Sequence, residues 1–301
     1  MDPRRAAAQR RLGDGSAARG CAEAAWRWIR GARLRYLARV PAQPHSPSAG
    51  RPPLRRPRRE PPSDRRVVPQ VLSQVLQRAT GLGARGSVLF DLDSTLLDNR
   101  PRQARILREF AAQHSIAPLQ GCAPEHFDGW SLKVPMRVCG LPDAEVETLE
   151  PQAKNFWRAR FFTSEYCIDD VAMAGATEYV RQVMQTGAQL IYCTGRHPEM
   201  RQGTIECFVR EGFPVPDDSR VTLLMKPQFD MHDDEWKLIA RDQIASIGQL
   251  VAAFDNEPTH INTYREQFPD AQCVHLLTDE SARGVTVHAS IPSVFDFEFD
   301  C

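Results

Sequence analysis

The 301-residue sequence predicts an α/β fold, a doubly wound parallel sheet with an inserted helical cap. Two observations carry this prediction. In the second part of the chain, short apolar runs without polar alternation are separated by helical stretches, as is typical of strands buried on both faces of a parallel sheet. Between the first run and the second lie about 70 residues without another such run, which is too long for a connecting loop. This stretch predicts the cap.

The elements of the predicted core follow one another as strand and helix. Five strands are predicted, at residues 86–91 (GSVLFD), 188–195 (AQLIYCTG), 221–226 (VTLLMK), 249–255 (QLVAAFD) and 271–277 (AQCVHLL). Three helices are predicted between them, at residues 176–187 and 200–212, which both end at a glycine, and at residues 233–246, which begin with acidic residues. Because strand and helix alternate, the sheet is predicted to be parallel.

The chain is predicted to divide into three parts. Residues 1–83 are rich in Arg, Pro and Ala, and such a composition buries too little apolar surface to offset the entropy of ordering, so a disordered tail is expected. Residues 84–99 and 168–301 are expected to form the core, and residues 100–167 the cap.

A net charge of zero hides a division between tail and remainder. Of the 38 basic and 38 acidic residues, 19 and 5 lie in residues 1–86, which leaves 19 basic and 33 acidic residues in the remainder. Within the tail, residues 22–40 would place apolar side chains near one side of a helix, with arginines interspersed. Such a helix suits a nucleic acid or an anionic membrane surface. A solvated tail, or a start codon assigned too far upstream, is the alternative explanation.

The cysteines and the hydropathy bound the class of protein. Eight cysteines occur without a CxxC pair or a repeating interval, and no secretory signal is recognised. We interpret them as reduced thiols of a cytoplasmic protein and expect neither a disulfide framework nor a zinc site. No apolar run approaches the roughly 18 residues that span a bilayer, so no transmembrane segment is expected.

Polar residues follow three of the predicted strands, at the edge where open parallel sheets bind ligands. They are Asp91, Asp93 and Thr95 after the first strand, Thr194, Gly195 and Arg196 after the second, and Asp255, Asn256 and Glu257 after the fourth. Asp91 and Asp93 are two residues apart, so their side chains emerge on the same side of an extended backbone. Two carboxylates this close need a cation, unless one holds a proton, and Mg²⁺ suits them because it takes hard oxygen ligands together with substrate phosphate. One carboxylate can then attack while the other moves protons.

These residues resemble the pattern of a known family. The sequence has DLDST at residues 91–95, TGR at residues 194–196, Lys237 on a predicted helix and Asp255 after a late apolar strand. In this order they are similar to the haloacid-dehalogenase-like superfamily of Mg²⁺-dependent phosphatases, which has a Rossmann-like core. The resemblance covers residues 86–301 apart from the cap, and the tail has no part in it.

The resemblance implies a reaction through an aspartyl-phosphate. Asp91 would be the nucleophile, and Asp93 would protonate the leaving alcohol and then activate water. Thr194 would hydrogen-bond a phosphoryl oxygen, and Lys237 would balance charge between Asp91 and the phosphoryl group. The other implied contacts are those of Thr95, Gly195 and Arg196 with the phosphoryl group, and those of Asp91, Asp255 and the backbone carbonyl of Asp93 with Mg²⁺.

Several of these assignments have alternatives. Lys226 competes with Lys237 for the charge-balancing role, and either Asn256 or Glu257 could support the metal ligands. Candidate substrate contacts are Trp130, Lys133, Arg158 and Arg160 in the cap, and Arg196 and His197 at the cleft. Cys193, inside an apolar strand, is interpreted as a core residue.

The sequence therefore predicts a phosphomonoesterase for a small phosphorylated metabolite whose identity the cap decides. One alternative is a polynucleotide-end phosphatase that binds DNA or RNA through the basic tail, and binding that vanishes without residues 1–80 would favour it. The other alternative is a non-catalytic protein that keeps the fold for docking. Such a protein has no physical need for the paired carboxylates Asp91 and Asp93.

Overall fold

The structure is a computed structural model that describes residues 60–299 except residues 62, 64, 218 and 282. Most of the predicted tail, including the predicted helix at residues 22–40, therefore lies outside the described residues. Within the described ranges, no helix is long and apolar enough to cross a membrane.

A six-stranded parallel sheet forms the core. In chain order, the strands of the described residues are β1 (Gly86–Phe90), β2 (Leu97–Asp98), β3 (Val171–Ala172), β4 (Gln189–Thr194), β5 (Val221–Met225), β6 (Gln249–Asp255), β7 (Gln272–Leu276) and β8 (Ser293–Val294). The sheet has the order β5-β4-β1-β6-β7-β8, and its neighbouring strands all pair in parallel. The five predicted strands and their parallel arrangement are thus confirmed. β8, at two residues, is too short to stand out as an apolar run.

Helices cover both faces of this sheet. In chain order they are α1 (Val71–Leu82), α2 (Arg100–His114), α3 (Lys133–Val138), α4 (Asp143–Phe161), α5 (Ala176–Gln185), α6 (Arg201–Glu211), α7 (Asp233–Ile239), α8 (Arg241–Ile247) and α9 (Pro258–Gln267). Short 3₁₀ turns occupy Gly83–Arg85, Ala117–Gly121, Pro124–His126, Ser164–Asp169 and Pro198–Met200. Helices α1, α5 and α6 share one hydrophobic cluster with the sheet, and α7, α8 and α9 share another. The predicted helix at residues 233–246 is divided at Ala240 into α7 and α8.

Strand β1 shows why the core strands lack polar alternation. Val88 and Phe90 pack into the cluster with α1, α5 and α6, whereas Leu89 packs into the cluster with α7, α8 and α9. All three side chains are completely buried. Since helices cover both faces of the sheet, side chains on both faces of the strand must be apolar.

The prediction of disorder for residues 1–83 is wrong at its C-terminal end. Residues 71–82 form helix α1, whose Val71, Leu72, Val75 and Ala79 are buried in the core. The hydroxyl of Tyr179 donates a hydrogen bond to the Leu72 carbonyl at 3.1 Å. The composition of the Arg- and Pro-rich stretch before it hid this amphipathic spacing, in which apolar residues recur on one side of a helix.

The helices between β2 and β3 form a third hydrophobic cluster, apart from the two that involve the sheet. Helices α2, α3 and α4 and the turns between them contribute side chains such as Leu107, Phe110, Met136 and Trp157. The chain leaves the core after β2 and returns through β3, and these two strands pair antiparallel. This two-stranded ribbon places the helical insertion over the carboxyl end of β1.

Candidate active site

The carboxyl ends of β1 and β6 bring together the residues that the sequence predicts for catalysis. Asp91 follows β1, Asp255 ends β6, and Lys237 lies on α7. All three are buried, and all three line a cavity of about 280 Å³ between the sheet and the cap. Strands that are parallel end at one edge, so distant sequence positions meet there.

Lys237 is the centre of this group. Its Nζ donates hydrogen bonds to Asp91 Oδ1 at 2.7 Å, to Asp255 Oδ2 at 3.1 Å and to the backbone carbonyl of Cys193 at 2.6 Å. Lys226 binds elsewhere, with its Nζ 2.7 Å from Asp233 Oδ1. The fold therefore places Lys237, and not Lys226, beside Asp91.

Burial and neighbouring charges give the carboxyl groups of Asp91 and Asp255 different pKa values. Burial raises the pKa of Asp91 to about 7, an effect that Lys237 opposes only in part. Burial also acts to raise the pKa of Asp255, but Lys237 and His260 outweigh it and hold that pKa well below its usual range. Asp255 is thus a fixed negative charge, whereas Asp91 titrates near neutral pH.

Asp93 is held by two arginines. Arg196 Nη2 and Arg102 Nη2 each lie 2.7 Å from Asp93 Oδ1. Burial acts to raise the pKa of Asp93, but Arg196 and Arg102 outweigh it and hold the pKa well below its usual range. Both arginines also pair with buried Asp170, Arg196 Nη2 at 2.5 Å and Arg102 Nε at 3.0 Å. Asp93 is therefore a carboxylate anchored to the base of the cap.

Sequence reasoning missed Arg102 and Asp170. Arg102 lies in the first turn of α2, and Asp170 lies just before β3, so the two stand at the two ends of the insertion. No local motif marks either residue. A charged residue of each sign at the points where an insertion leaves and re-enters the core is the signal that could have suggested the pair.

The residues predicted to contact a phosphoryl group differ in their surroundings. Gly195 lines the cavity, and a Cβ there would come within 2.8 Å of Asp233 Oδ2, so no larger residue fits without movement. Thr194 Oγ1 accepts a hydrogen bond from the Arg196 amide at 3.2 Å. Thr95 Oγ1 instead donates to Asn256 Oδ1 at 3.0 Å and is fully buried, so it joins the loops after β1 and β6.

The loop after β6 is fastened by its own polar residues. The Glu257 amide donates to Asp255 Oδ1 at 2.9 Å, which orients that carboxylate. Glu257 accepts from the Ser281 amide at 2.9 Å, and Asn256 Nδ2 donates to the Asp279 carbonyl at 2.5 Å. Glu257 thus contacts Asp255 directly through its amide, whereas Asn256 ties the loop to Asp279.

Aromatic side chains of the cap form the wall opposite Asp91. Trp130, a predicted contact, lines the cavity together with Trp157, Phe161 and Phe162. The Trp157 and Phe161 rings stack with centroids 4.3 Å apart, and Trp130 meets Phe161 edge-on at 5.8 Å. Trp157 Nε1 is buried and has no hydrogen-bond partner among the described residues. Sequence reasoning named only Trp130, since the spacing of the other three is also that of core residues.

The other predicted cap contacts lie away from this wall. Lys133 pairs with Glu147 on the outer side of the cap, and Arg160 Nε lies 3.5 Å from Glu109 Oε2. Arg158 and His197 line a neighbouring depression with Phe229, and Phe162 lines both this depression and the cavity. Cys193 is completely buried, as expected of a core residue.

Comparison with known proteins gives similarity in the fold. No protein-family model and no curated protein matches the sequence. Solved structures do match it, among them a haloacid dehalogenase-like family hydrolase from Streptococcus pneumoniae, with 12% identity, 65% of this chain and 87% of that chain covered, and a TM-score of 0.38.

Two further solved structures also match the chain. A HAD hydrolase of family IA from Entamoeba histolytica has 15% identity, with 70% of this chain and 93% of that chain covered and a TM-score of 0.38. Protein Tyrosine Kinase A from Mycobacterium tuberculosis has 14% identity, with 69% and 92% covered and a TM-score of 0.44. A fold does not determine a reaction, so the reaction has to be argued from the site itself.

Proposed function

We propose that the chain is a Mg²⁺-dependent phosphomonoester hydrolase that acts through an aspartyl-phosphate on Asp91. One observation carries the proposal: Lys237 Nζ lies 2.7 Å from Asp91 Oδ1 and 3.1 Å from Asp255 Oδ2 at a buried edge of the sheet that opens on a cavity. A buried carboxylate nucleophile with a cation beside it suits attack on a group that brings its own negative charge.

The donor set fits a divalent cation as well as the lysine. Asp91, Asp255 and the backbone carbonyl of Asp93 are the oxygens that would hold Mg²⁺. Burial raises the pKa of Asp91 to about 7 even beside Lys237, so the positive charge present does not offset the burial of two carboxylates. Mg²⁺ binds hard oxygen donors, and here its charge would offset the negative charge that Lys237 leaves unbalanced. When bound, the ion would supply positive charge to the phosphoryl oxygens.

The reaction divides into two displacements. In the first, an Asp91 oxygen attacks phosphorus, the bond from phosphorus to the leaving oxygen breaks, and the leaving group departs as an alcohol or its anion. In the second, water attacks the phosphorus of the aspartyl-phosphate, inorganic phosphate leaves, and the Asp91 carboxylate is restored. Lys237 stays within hydrogen-bonding distance of Asp91 and keeps its negative charge tolerable in the buried site.

Asp93 suits the second displacement better than the first. As a carboxylate paired with Arg196 and Arg102, it can take the proton of the attacking water. Protonating a leaving group would require Asp93 to hold a proton before the step begins, whereas the two arginines keep it ionised, which is the state that the second displacement starts from. A leaving group that departs readily as an anion therefore fits this site.

The aromatic wall supports the same kind of leaving group. Trp130, Trp157 and Phe161 line the cavity with aromatic ring atoms, and aromatic rings prefer offset or edge-on contacts with other rings. The substrate proposed is accordingly a small phosphomonoester whose phosphate is carried by an aromatic hydroxyl, since aryl oxides need less protonation than alkoxides. Phenyl phosphate is the simplest example.

Phosphate release by the full-length protein tests the activity. With Mg²⁺ present, the protein is expected to release phosphate from phenyl phosphate, and Asp91→Asn is expected to abolish release. Asp242→Asn is the matched control, because Asp242 is a carboxylate of α8 that is 94% exposed. No release from a broad panel of phosphomonoesters, or release that survives Asp91→Asn, would show the proposal to be wrong.

A further inference from the structure

Two thiols and an imidazole meet in the cap, away from the active-site cavity. The Cys122 Sγ, His126 Nδ1 and Cys139 Sγ atoms are a set of ligand atoms that all lie within 4.8 Å of one another. Cys139 Sγ is 3.4 Å from His126 Nδ1. Cys122 is buried, and the other two are partly exposed. In the described part of the chain, no other group of three or more Cys, His, Asp or Glu side chains converges in this way.

We propose that Cys122, His126 and Cys139 form a zinc-binding site whose fourth coordination position faces solvent. Thiolates with an imidazole select zinc among the common divalent ions, whereas Mg²⁺ prefers oxygen. In a tetrahedral site with Zn–S near 2.3 Å and Zn–N near 2.05 Å, a sulfur and a nitrogen ligand stand about 3.6 Å apart. The distance of 3.4 Å between Cys139 Sγ and His126 Nδ1 is close to that value.

The positions of the three ligands explain what the ion does for the fold. Cys122 follows the turn Ala117–Gly121, His126 ends the turn Pro124–His126, and Cys139 caps α3. This part of the cap is built from short turns and a six-residue helix, which gain little from their own backbone hydrogen bonds. A zinc ion would tie the three segments together beside the cap's hydrophobic cluster, which includes Cys122.

Binding changes the existing contacts in a defined way. The His126 Nδ1 lone pair accepts the Ala123 amide at 3.2 Å, and zinc would take that lone pair at the expense of this one hydrogen bond. Both thiols would lose their protons to solvent, so binding is expected to weaken as the pH falls. The proposal departs from the sequence prediction, which expected no zinc site because a CxxC pair is absent and Cys139 is distant from Cys122 in the chain.

The site is independent of the proposed reaction. None of its three residues lines the active-site cavity. A phosphatase without zinc and a zinc protein without phosphatase activity are thus separate outcomes, and metal content is measured without substrate.

Metal analysis of the purified full-length protein tests the proposal. After zinc loading and removal of loosely bound metal, about one equivalent of zinc per chain is expected to remain. Cys139→Ser and His126→Ala are expected to lose most of it. Cys273→Ser is the matched control, because Cys273 is a buried cysteine of β7, far from the cluster in the sheet, and it is expected to retain the zinc.

A cobalt titration of the unaltered protein keeps the test independent of how the variants fold. Co²⁺ is expected to give the thiolate-to-metal absorption and visible bands of a tetrahedral site, and Zn²⁺ is expected to displace it. The proposal is overturned if zinc content stays well below one equivalent, if Cys139→Ser retains it, or if mass spectrometry shows a Cys122–Cys139 disulfide in place of the thiols.

Discussion

Arg196 and Asp93 face each other across the carboxyl edge of the sheet. Arg196 Nη2 donates to Asp93 Oδ1 at 2.7 Å, and Arg196 Nε donates to Asp93 Oδ2 at 3.0 Å. The same guanidinium donates to Asp170, which lies where the chain returns from the cap. This pairing connects the carboxyl edge of the sheet with the base of the cap, so the position of the cap and the charge state of Asp93 depend on one another.

Replacing Arg196 by glutamine is expected to lower the free energy of unfolding by about 3 to 5 kcal/mol, because it leaves buried Asp170 with a single arginine partner. Urea denaturation followed by circular dichroism measures the change. Arg137→Gln, which removes a solvent-exposed pair with Asp143, is the control and should leave the denaturation midpoint unchanged. An Arg196→Gln midpoint equal to that of the unaltered protein would contradict the buried network.

Substitutions of the two candidate lysines, Lys237 and Lys226, are expected to lower kcat by different amounts. Lys237→Met removes the cation beside Asp91 and should lower kcat by about 10²- to 10³-fold, the usual effect of deleting one preorganised electrostatic partner. Lys226→Met removes a partner of Asp233 and should lower kcat less than about tenfold, since Lys226 does not contact the nucleophile. Steady-state phosphate release with Mg²⁺ measures both. Equal losses would argue against a special role of Lys237.

The stability of the metal-free protein is expected to fall between about pH 4 and pH 7 through Asp91. Folding raises the pKa of this carboxyl from 3.8 to about 7, so the folded state binds more protons in that window, and raising the pH favours the unfolded state. Asp91→Asn should therefore raise the free energy of unfolding at pH 8 by about 1 kcal/mol or more.

Denaturation at pH 5 and pH 8 in the presence of a chelator checks this dependence. Asp91→Asn should stabilise the protein more at pH 8 than at pH 5. Asp242→Asn should leave the stability unchanged at both pH values. Mg²⁺ should stabilise the unaltered protein more at pH 8 than at pH 5, because it binds the ionised carboxylate. A stabilisation by Asp91→Asn that is the same at both pH values would show that the carboxyl titrates normally.

The sequence predicted the core and the residues at the carboxyl edge of its sheet because both follow from local rules. Apolar runs marked β1, β4 and β6, and the ends of parallel strands meet at one edge, so Asp91 and Asp255 had to be close. The pairing of Asp93 with Arg102 and Asp170 could not be predicted in this way. It depends on how the insertion returns to the core, which is decided by tertiary packing between segments that share no local pattern.

Helix α1 and the aromatic wall are two further features that the sequence patterns did not predict. The apolar spacing of α1 was present in the sequence, but the Arg- and Pro-rich composition before it dominated the prediction. Trp157 and Phe161 lie on α4, where aromatic residues at such spacing are more often core than ligand contacts. Only the placement of the cap over β1 shows that these rings line the same cavity as Asp91.

The aromatic wall is expected to affect aryl substrates selectively. Trp130→Ala should raise the KM for phenyl phosphate by about tenfold, which corresponds to the roughly 1.4 kcal/mol that an aromatic contact contributes. The KM for glycerol 3-phosphate, which has no ring, should change much less. Val209→Ala is the control, because Val209 is an apolar side chain of α6 that is 53% exposed and does not line the cavity. If Trp130→Ala raised the KM of both substrates equally, the wall would support the fold of the cap and not the choice of leaving group. The proposed phosphatase activity would not be contradicted by that result.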